Sequence, residues 1–195
     1  VAAHVPEGGR VLEVGCGYGV FCCHLALGSR DRTVVGVDVD ARKIVHAQRA
    51  ARQAAARGAK VEFHLAPPGD VPDGPWDAVV IVDVLYLLDP DAQAGLLHTC
   101  AEQLGPGGVL VVKEMARTPT WKARWNRVQE TLAVRLLRIT AGDQLSFPDP
   151  DDLETWMTDA GLEVAQVPLH HRYPHPHHLL VGRRPTGLRL VDPDR

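Results

Sequence analysis

The chain has 195 residues, 45% apolar and 23% charged, enough for one domain with a full α/β core and ordinary for a globular protein. Its formal charge of -3, with a pI of about 6.4, argues against a general nucleic-acid binder, which carries a basic excess, and no apolar run is long enough to span a bilayer. Residues Val1 to Arg10 lack the charged start and long apolar stretch of a secretory leader, and the four cysteines (Cys16, Cys22, Cys23 and Cys100) fit neither a disulfide framework nor paired zinc knuckles, so a reduced cytoplasmic protein is expected.

Strand and helix patterns alternate along the chain. Val11 to Val14 is a short apolar run ending in glycines and reads as a buried strand. A helix follows through Phe21, Cys22 and Leu25 and stops near Gly28. Thr33 to Val37 is valine-rich and reads as a second strand. Asp40 is placed to cap a helix through Ile44, Ala47, Ala51 and Ala55 that stops at Gly58. Val61 to Leu65 is a third strand, and Ala66 to Pro75 a loop dense in proline and glycine. Trp76 to Val82 is a strongly apolar fourth strand.

Asp89-Pro90 opens the next helix, with Leu96, Leu97, Cys100 and Leu104 at helical spacing. Leu104 to Gly108 makes a turn into a fifth strand, Val109 to Val112. Thr118-Pro119 begins a long helix with the stripe Trp121, Trp125, Val128, Leu132, Leu136 and Ile139. Asp149-Pro150 starts a further helix, with Leu153, Trp156, Met157 and Ala160 on one face and acids suited to its positive end. Leu162 to Leu169 and His177 to Val181 are two last strands. Their connection is too short for a crossover helix, so the pair is expected to be antiparallel. The pattern predicts an α/β three-layer sandwich with a mostly parallel sheet covered on both faces, in one domain over 1–184 and a tail over 185–195.

The most informative stretch is Val11-Leu12-Glu13-Val14-Gly15-Cys16-Gly17-Tyr18-Gly19. Glycines let the backbone bend sharply and let a ligand lie directly on it. Such a site is the crevice beyond the carboxyl end of the first strand, where the strand order reverses. Twenty-three residues after Gly15, the second strand ends in Gly36-Val37-Asp38. A carboxylate there can accept hydrogen bonds from both hydroxyls of a ribose. A dinucleotide fingerprint requires glycine or alanine where this chain has Val20, so its spacing fits a nucleoside better than a pyrophosphate.

This stretch resembles motif I of the class I S-adenosylmethionine-dependent methyltransferases, a hydrophobic strand, an acid and then G-x-G-x-G. Gly36-Val37-Asp38 is similar to the family's ribose-binding strand end, Trp76 to Val80 to its fourth strand, Leu104 to Gly108 to its turn into strand five, and the closing hairpin to strands six and seven. The resemblance implies a Rossmann-like seven-stranded sheet of order 3-2-1-4-5-7-6 with strand seven antiparallel. It also implies methyl transfer from S-adenosylmethionine, leaving S-adenosylhomocysteine. One departure is local: the family often has an acid just past strand three, and Ala66-Pro67-Pro68 stands there instead, with Asp70 a few residues on.

The resemblance assigns the cofactor to Glu13, Gly15, Cys16, Gly17, Gly19, Asp38, Val39, Ala66 and Asp83. Glu13 either orients the glycine loop and the cofactor amine or bonds local backbone amides. Asp38 grips the ribose, its alternative being a simple helix-entry residue, and Val39 lies against the adenine. Asp83 and Glu114 are candidate catalytic carboxylates, able to take a proton from an acceptor or orient it; Glu114 could instead pair with Lys113 or Arg117. Tyr86, Trp121 and Trp125 are candidate acceptor contacts, the two tryptophans having simple packing as their alternative. The histidine-rich stretch from His170 to His178 matches no zinc spacing, so no metal is expected.

The leading expectation is a methyltransferase acting on a small-molecule acceptor, with nucleic acid and membrane not expected as partners and no oligomeric state implied. The alternatives are a catalytically silent S-adenosylmethionine-binding regulatory module and an NAD(P)-dependent oxidoreductase.

Overall fold

The computed structural model describes residues 1–115, 146–167, 169 and 177–187. The expected helix from Thr118, with Trp121 and Trp125, the histidines His170, His171 and His175, and the end of the chain from 188 lie outside the described residues.

Seven strands form one sheet: β1 (Gly9–Val14), β2 (Arg32–Asp38), β3 (Lys60–Leu65), β4 (Trp76–Val82), β5 (Leu104–Met115), β6 (Glu163–Val167) and β7 (His177–Arg183). Their order is β3-β2-β1-β4-β5-β7-β6. The first five pair in parallel, and β7 runs antiparallel to both β5 and β6. Helices α1 (Val20–Gly28), α2 (Ala41–Ala55), α3 (Pro90–Glu102) and α4 (Pro150–Asp159) flank it. This is the expected Rossmann-like sandwich, strand order included.

Two cores lie on the two faces of the sheet, because alternate residues of a strand point to opposite sides. One joins Leu12, Val79, Ile81, Leu110 and Val112 to Leu97 of α3 and Leu153 and Met157 of α4. The other joins Val11, Val34, Ala78, Val80, Val109 and Val111 to Leu25 of α1 and Ile44 and Ala47 of α2. The central strands are buried on both faces, which explains their unbroken valine and leucine runs.

Aspartates start three of the helices. Asp40 accepts from the amides of Arg42 and Lys43, Asp89 from Ala92, and Asp149 from Asp151. Helix α1 has no side-chain cap; left-handed Gly19 begins it. The acid nearest its first turn is Glu13 at the end of β1, whose carboxylate meets the backbone amide and the thiol of Cys22.

Both ends of β5 differ from expectation. Leu104 belongs to β5, where it pairs with Trp76, and not to the helix before it. The register then shifts so that Val109 pairs with Ala78, and Gly105 to Gly108 take up the difference. At its far end β5 runs past Val112 to Met115, carried by pairing with β7.

Candidate active site

The glycine turn sits where β1 hands over to α1. Gly15, Gly17 and Gly19 all have positive φ (76°, 56° and 75°), the left-handed region that side chains disfavour. The amides of Gly15 and Cys16 both donate to the Val37 carbonyl, at 2.8 and 2.9 Å, which ties the bend to the end of β2. The three glycines serve different ends. A Cβ on Gly15 would press into the Val84 side chain, and one on Gly19 into the Phe63 ring. A Cβ on Gly17 would meet nothing within 4 Å. Gly15 and Gly19 are therefore glycine for packing, while Gly17 presents bare backbone to open space.

Asp38, 8% exposed, closes β2 beside this turn. Its Oδ2 accepts from the Gly17 amide at 2.8 Å and its Oδ1 from the Asp40 amide at 2.9 Å. Each carboxylate oxygen has two lone-pair positions, so one remains on each for a further donor. That arrangement, next to the open face of Gly17, fits a nucleoside whose ribose offers two hydroxyls. Val39 is half exposed alongside. Ala66 is buried, its amide donating to the Asp38 carbonyl at 3.2 Å. Asp70 is exposed beyond it, its amide on the Pro67 carbonyl.

Glu13 lies under the turn, 4% exposed. The Cys22 thiol donates to its Oε2 at 2.7 Å. Burial, partly offset by that bond, pushes the Glu13 carboxyl up to about 7, and burial likewise pushes the Cys22 thiol up. Cys16 is buried close by, its amide in the bond to Val37.

Past β4 the chain turns sharply at Asp83, whose φ of 54° makes it the one non-glycine residue with positive φ among those described. Such a conformation costs about 1–3 kcal/mol, although aspartate tolerates it better than most residues. The Asp83 amide donates to the Lys113 carbonyl, and its Oδ2 accepts from Lys113 Nζ. Oδ1 is closed to solvent and has no hydrogen-bond partner among the described residues. With side chains 35% and 17% exposed, the pair is worth no more than about 1 kcal/mol after screening. It does not by itself explain the strained turn.

The next residues form a 3₁₀ turn, Leu85–Leu87, that the hydropathy pattern did not disclose. Two buried polar side chains hold it. Glu114 is fully buried beneath the rim, and its Oε1 accepts from the amides of Val84 and Leu85 at 2.8 and 2.7 Å. It does not pair with Lys113, which points to the opposite face of β5 and binds Asp83. Burial, opposed by those two amide bonds, raises the Glu114 carboxyl to about 7. From α3, Gln93 Nε2 donates to the carbonyls of Leu85, Leu88 and Ser146 at 3.0, 2.9 and 2.7 Å. Tyr86 is half-buried and stacks on Phe147, with ring centroids 5.5 Å apart.

Gln93 and Lys113 were missing from the residues expected at the site. A signal for Gln93 exists: it is in phase with Leu96, Leu97 and Cys100, so the apolar stripe itself puts it on the buried face. Lys113 lies one residue beyond the expected end of β5. Among the described residues no cluster of His, Cys, Asp or Glu could hold a metal ion.

A reversed strand order at β1 and β4, a glycine turn with one open face and an acid closing β2 together define the class: this is the architecture of class I S-adenosylmethionine-dependent methyltransferases. The family described as methyltransferase domain matches residues 1–167, and the chain belongs to it. It is similar to the ubiquinone biosynthesis O-methyltransferase of Xanthomonas axonopodis pv. citri (strain 306), with 32% identity over 167 residues, covering 83% of this chain and 66% of that protein. The chain thus spans just under two thirds of that relative's length. Among solved structures it is similar to magnesium protoporphyrin IX methyltransferase from Synechocystis PCC 6803 with bound SAH, with a TM-score of 0.70 and 19% identity over 93% of this chain and 76% of that one. It is also similar to a SAM-dependent methyltransferase from Methanosarcina mazei, with a TM-score of 0.69 and 20% identity over 95% and 96% of the two chains. At these identities the two structures speak to the fold.

Proposed function

We propose that this chain moves a methyl group from S-adenosylmethionine to an oxygen of a small-molecule acceptor. The observation that carries the reading is the Asp38 carboxylate beside the open face of Gly17, bonded to its amide and keeping acceptor capacity for a ribose. The oxygen rests on the relative's printed activity as an O-methyltransferase.

When bound, S-adenosylmethionine supplies a methyl on a positively charged sulfur, which leaves as a neutral thioether. The residues of the chain bind, orient and move a proton. Gly15, Cys16, Gly17 and Gly19 form the bend that receives the donor, and Asp38 takes the ribose. Val39 and Ala66 flank the base. Glu13, held by Cys22, sets the bend from below. Asp83 accepts the acceptor's proton. Glu114 acts as a positioning residue, holding the 84–85 backbone in place so that Asp83 and Tyr86 face the acceptor. Trp121 and Trp125, outside the described residues, stay candidate acceptor contacts. Most of the acceleration comes from holding nucleophile and methyl in line.

No helix among the described residues is long and apolar enough to cross a membrane. Cys16, Cys22, Cys23 and Cys100 are free thiols, consistent with work in a reducing cytoplasm. We take the catalytic domain as residues 1–184.

Calorimetry with S-adenosylhomocysteine, NAD and NADP, followed by assay of S-adenosylhomocysteine formation over hydroxylated acceptors, tests the proposal. Binding of the first alone, with turnover, is expected. Preference for a nicotinamide cofactor overturns it, and donor binding without turnover on any acceptor reassigns the chain to a regulatory role.

A further inference from the structure

Helix α2 is a basic face on an acidic chain. Residues 41–60 hold six cations, Arg42, Lys43, Arg49, Arg52, Arg57 and Lys60, and no Asp or Glu. With -3 on the whole chain, that +6 leaves -9 on the other 175 residues. Ile44, Ala47 and Ala54 of α2 turn inward. The helical period therefore puts Arg42 and Arg49, seven apart, at the middle of the outer face, with Val45, His46 and Arg52 beside them. All six cations but the half-buried Lys43 are exposed. Arg30, from the turn after α1, extends the stripe: its Nη1 lies 3.4 Å from where a Cβ on Gly58 would stand.

The described residues do not neutralise this stripe. None of its cations forms an ion pair among them. The acids at its two ends are engaged, Asp40 in capping α2 and Glu62 at 3.6 Å from His64. Arg49 and Arg52, three apart, repel each other. The fifteen residues of α2 make a straight row about 22 Å long, too extended for one small anion. Exposed apolar groups stand among the charges: Val45 lies between Arg42 and Arg49, and the Tyr18 ring meets His46 with centroids 5.8 Å apart.

We propose that the outer face of α2 docks the protein on an anionic bilayer surface, with lipid phosphates as the counter-ions of Arg42, Arg49 and Arg52. A lipid interface takes both kinds of group together. Phosphates meet the charged ends, while the aliphatic stems and Val45 sink among the headgroups. Nucleic-acid strands are tracked by charged grooves with stacking aromatics, which the convex outer side of a helix does not make. Such attachment needs no spanning helix, and none of the described helices is long and apolar enough to be one. The negative charge carried elsewhere is repelled by the same surface, which favours the orientation with α2 down. Because α2 begins just after Asp38, the mouth of the site then opens along the bilayer. The inference is independent of the methyltransferase reading.

Co-sedimentation of the full chain with vesicles tests it, using phosphatidylcholine alone and an equimolar mixture with phosphatidylglycerol. Binding to the mixture is expected at about 0.1 M salt and not at about 1 M, where screening shortens to about 3 Å. Phosphatidylcholine alone is expected to bind none. Arg49→Gln lowers partitioning about fivefold, the usual worth of one cation near an anionic surface, and Arg42→Glu with Arg49→Glu abolishes it. Arg49→Lys keeps most of it. Arg183→Gln removes the same charge from an exposed position on β7 and leaves partitioning unchanged. Val45→Trp adds an emission that shifts to the blue on the anionic vesicles.

The proposal is overturned if the wild type does not sediment with the anionic vesicles at low salt, or sediments equally with uncharged ones. It is also overturned if the α2 variants match the wild type, or if Arg183→Gln loses as much as Arg49→Gln, which reduces the effect to net charge. Tighter binding to polyuridylate or to polyglutamate than to the vesicles at the same salt overturns it in favour of a nucleic acid or an acidic protein.

Discussion

Gly17 and Asp38 hold each other across the mouth of the site, the glycine amide donating to Asp38 Oδ2 at 2.8 Å. One carboxylate therefore shapes the bend and keeps lone pairs for a ligand. Replacing it acts on both.

Asp38→Ala is expected to lower affinity for S-adenosylhomocysteine about 10- to 100-fold, since a hydrogen bond to a charged group is worth about 1.5–3 kcal/mol. Asp38→Asn, which keeps one acceptor oxygen, falls between. Isothermal calorimetry reads both, and an unaltered dissociation constant for Asp38→Ala removes the ribose from this position.

The glycines divide into two kinds, and alanine substitution separates them. Gly17→Ala has room for its methyl, so its stability loss is limited to the left-handed backbone cost of about 1–2 kcal/mol. Its methyl fills the face meant for the ligand, and binding is lost. Gly15→Ala and Gly19→Ala add overlap with Val84 and Phe63, worth about 1–3 kcal/mol more. Urea denaturation alongside calorimetry checks the division, and it fails if Gly17→Ala proves the least stable of the three.

Glu114 gives a pH dependence of definite sign. Burial raises its folded pKa to about 7, against 4.5 for the ordinary group. The folded state therefore holds the proton more tightly, and stability is fully present below about 4.5 and declines as pH rises towards 7. Glu114→Gln keeps an oxygen for the amides of Val84 and Leu85 and carries no charge. The melting temperature of this variant relative to wild type should climb between pH 5 and pH 8. A difference that stays level over that range contradicts the buried charge. A positioning role further predicts that Glu114→Gln retains turnover, whereas a proton-accepting role would abolish it.

Gln93→Leu leaves three carbonyls, of Leu85, Leu88 and Ser146, without this donor. An unsatisfied buried polar group costs about 1–3 kcal/mol, so a loss of about 2–4 kcal/mol is expected after partial relaxation. The midpoint of urea unfolding measures it. A variant as stable as wild type would show that the 85–88 turn is held without Gln93.

Much of this architecture could be read from residues alone, and the reasons are local. A buried parallel strand is a valine or leucine run, and each of β1, β2 and β4 announces itself that way. Asp40, Asp89 and Asp149 mark helix starts by capping, and the structure shows each making its cap bond. What was not legible depends on contacts between distant parts of the chain. The 3₁₀ turn after Asp83 is set by Glu114, 29 to 30 residues away, and by Gln93 from a helix. Lys113 looked like a surface neighbour of Glu114, because adjacency along a strand hides the fact that consecutive side chains face opposite sides. Leu104 matched helical spacing with Cys100, and only its pairing with Trp76 shows it to be strand.

The Phe63 ring fills the space beneath two glycines at once. A methyl on Gly36 would come within 2.6 Å of that ring and 2.8 Å of Cys22 Sγ, and a methyl on Gly19 would also run into it. The start of α1, the middle of β2 and the middle of β3 thus share a single volume. Size at any one of these positions is not a private property: an enlargement at 36 is tolerable only with a shrinkage at 63, and the slack released there would reach the donor bend through Gly19. Substitutions in this trio should therefore be inherited as matched sets, with a smaller side chain at 63 restoring what a larger one at 36 takes away.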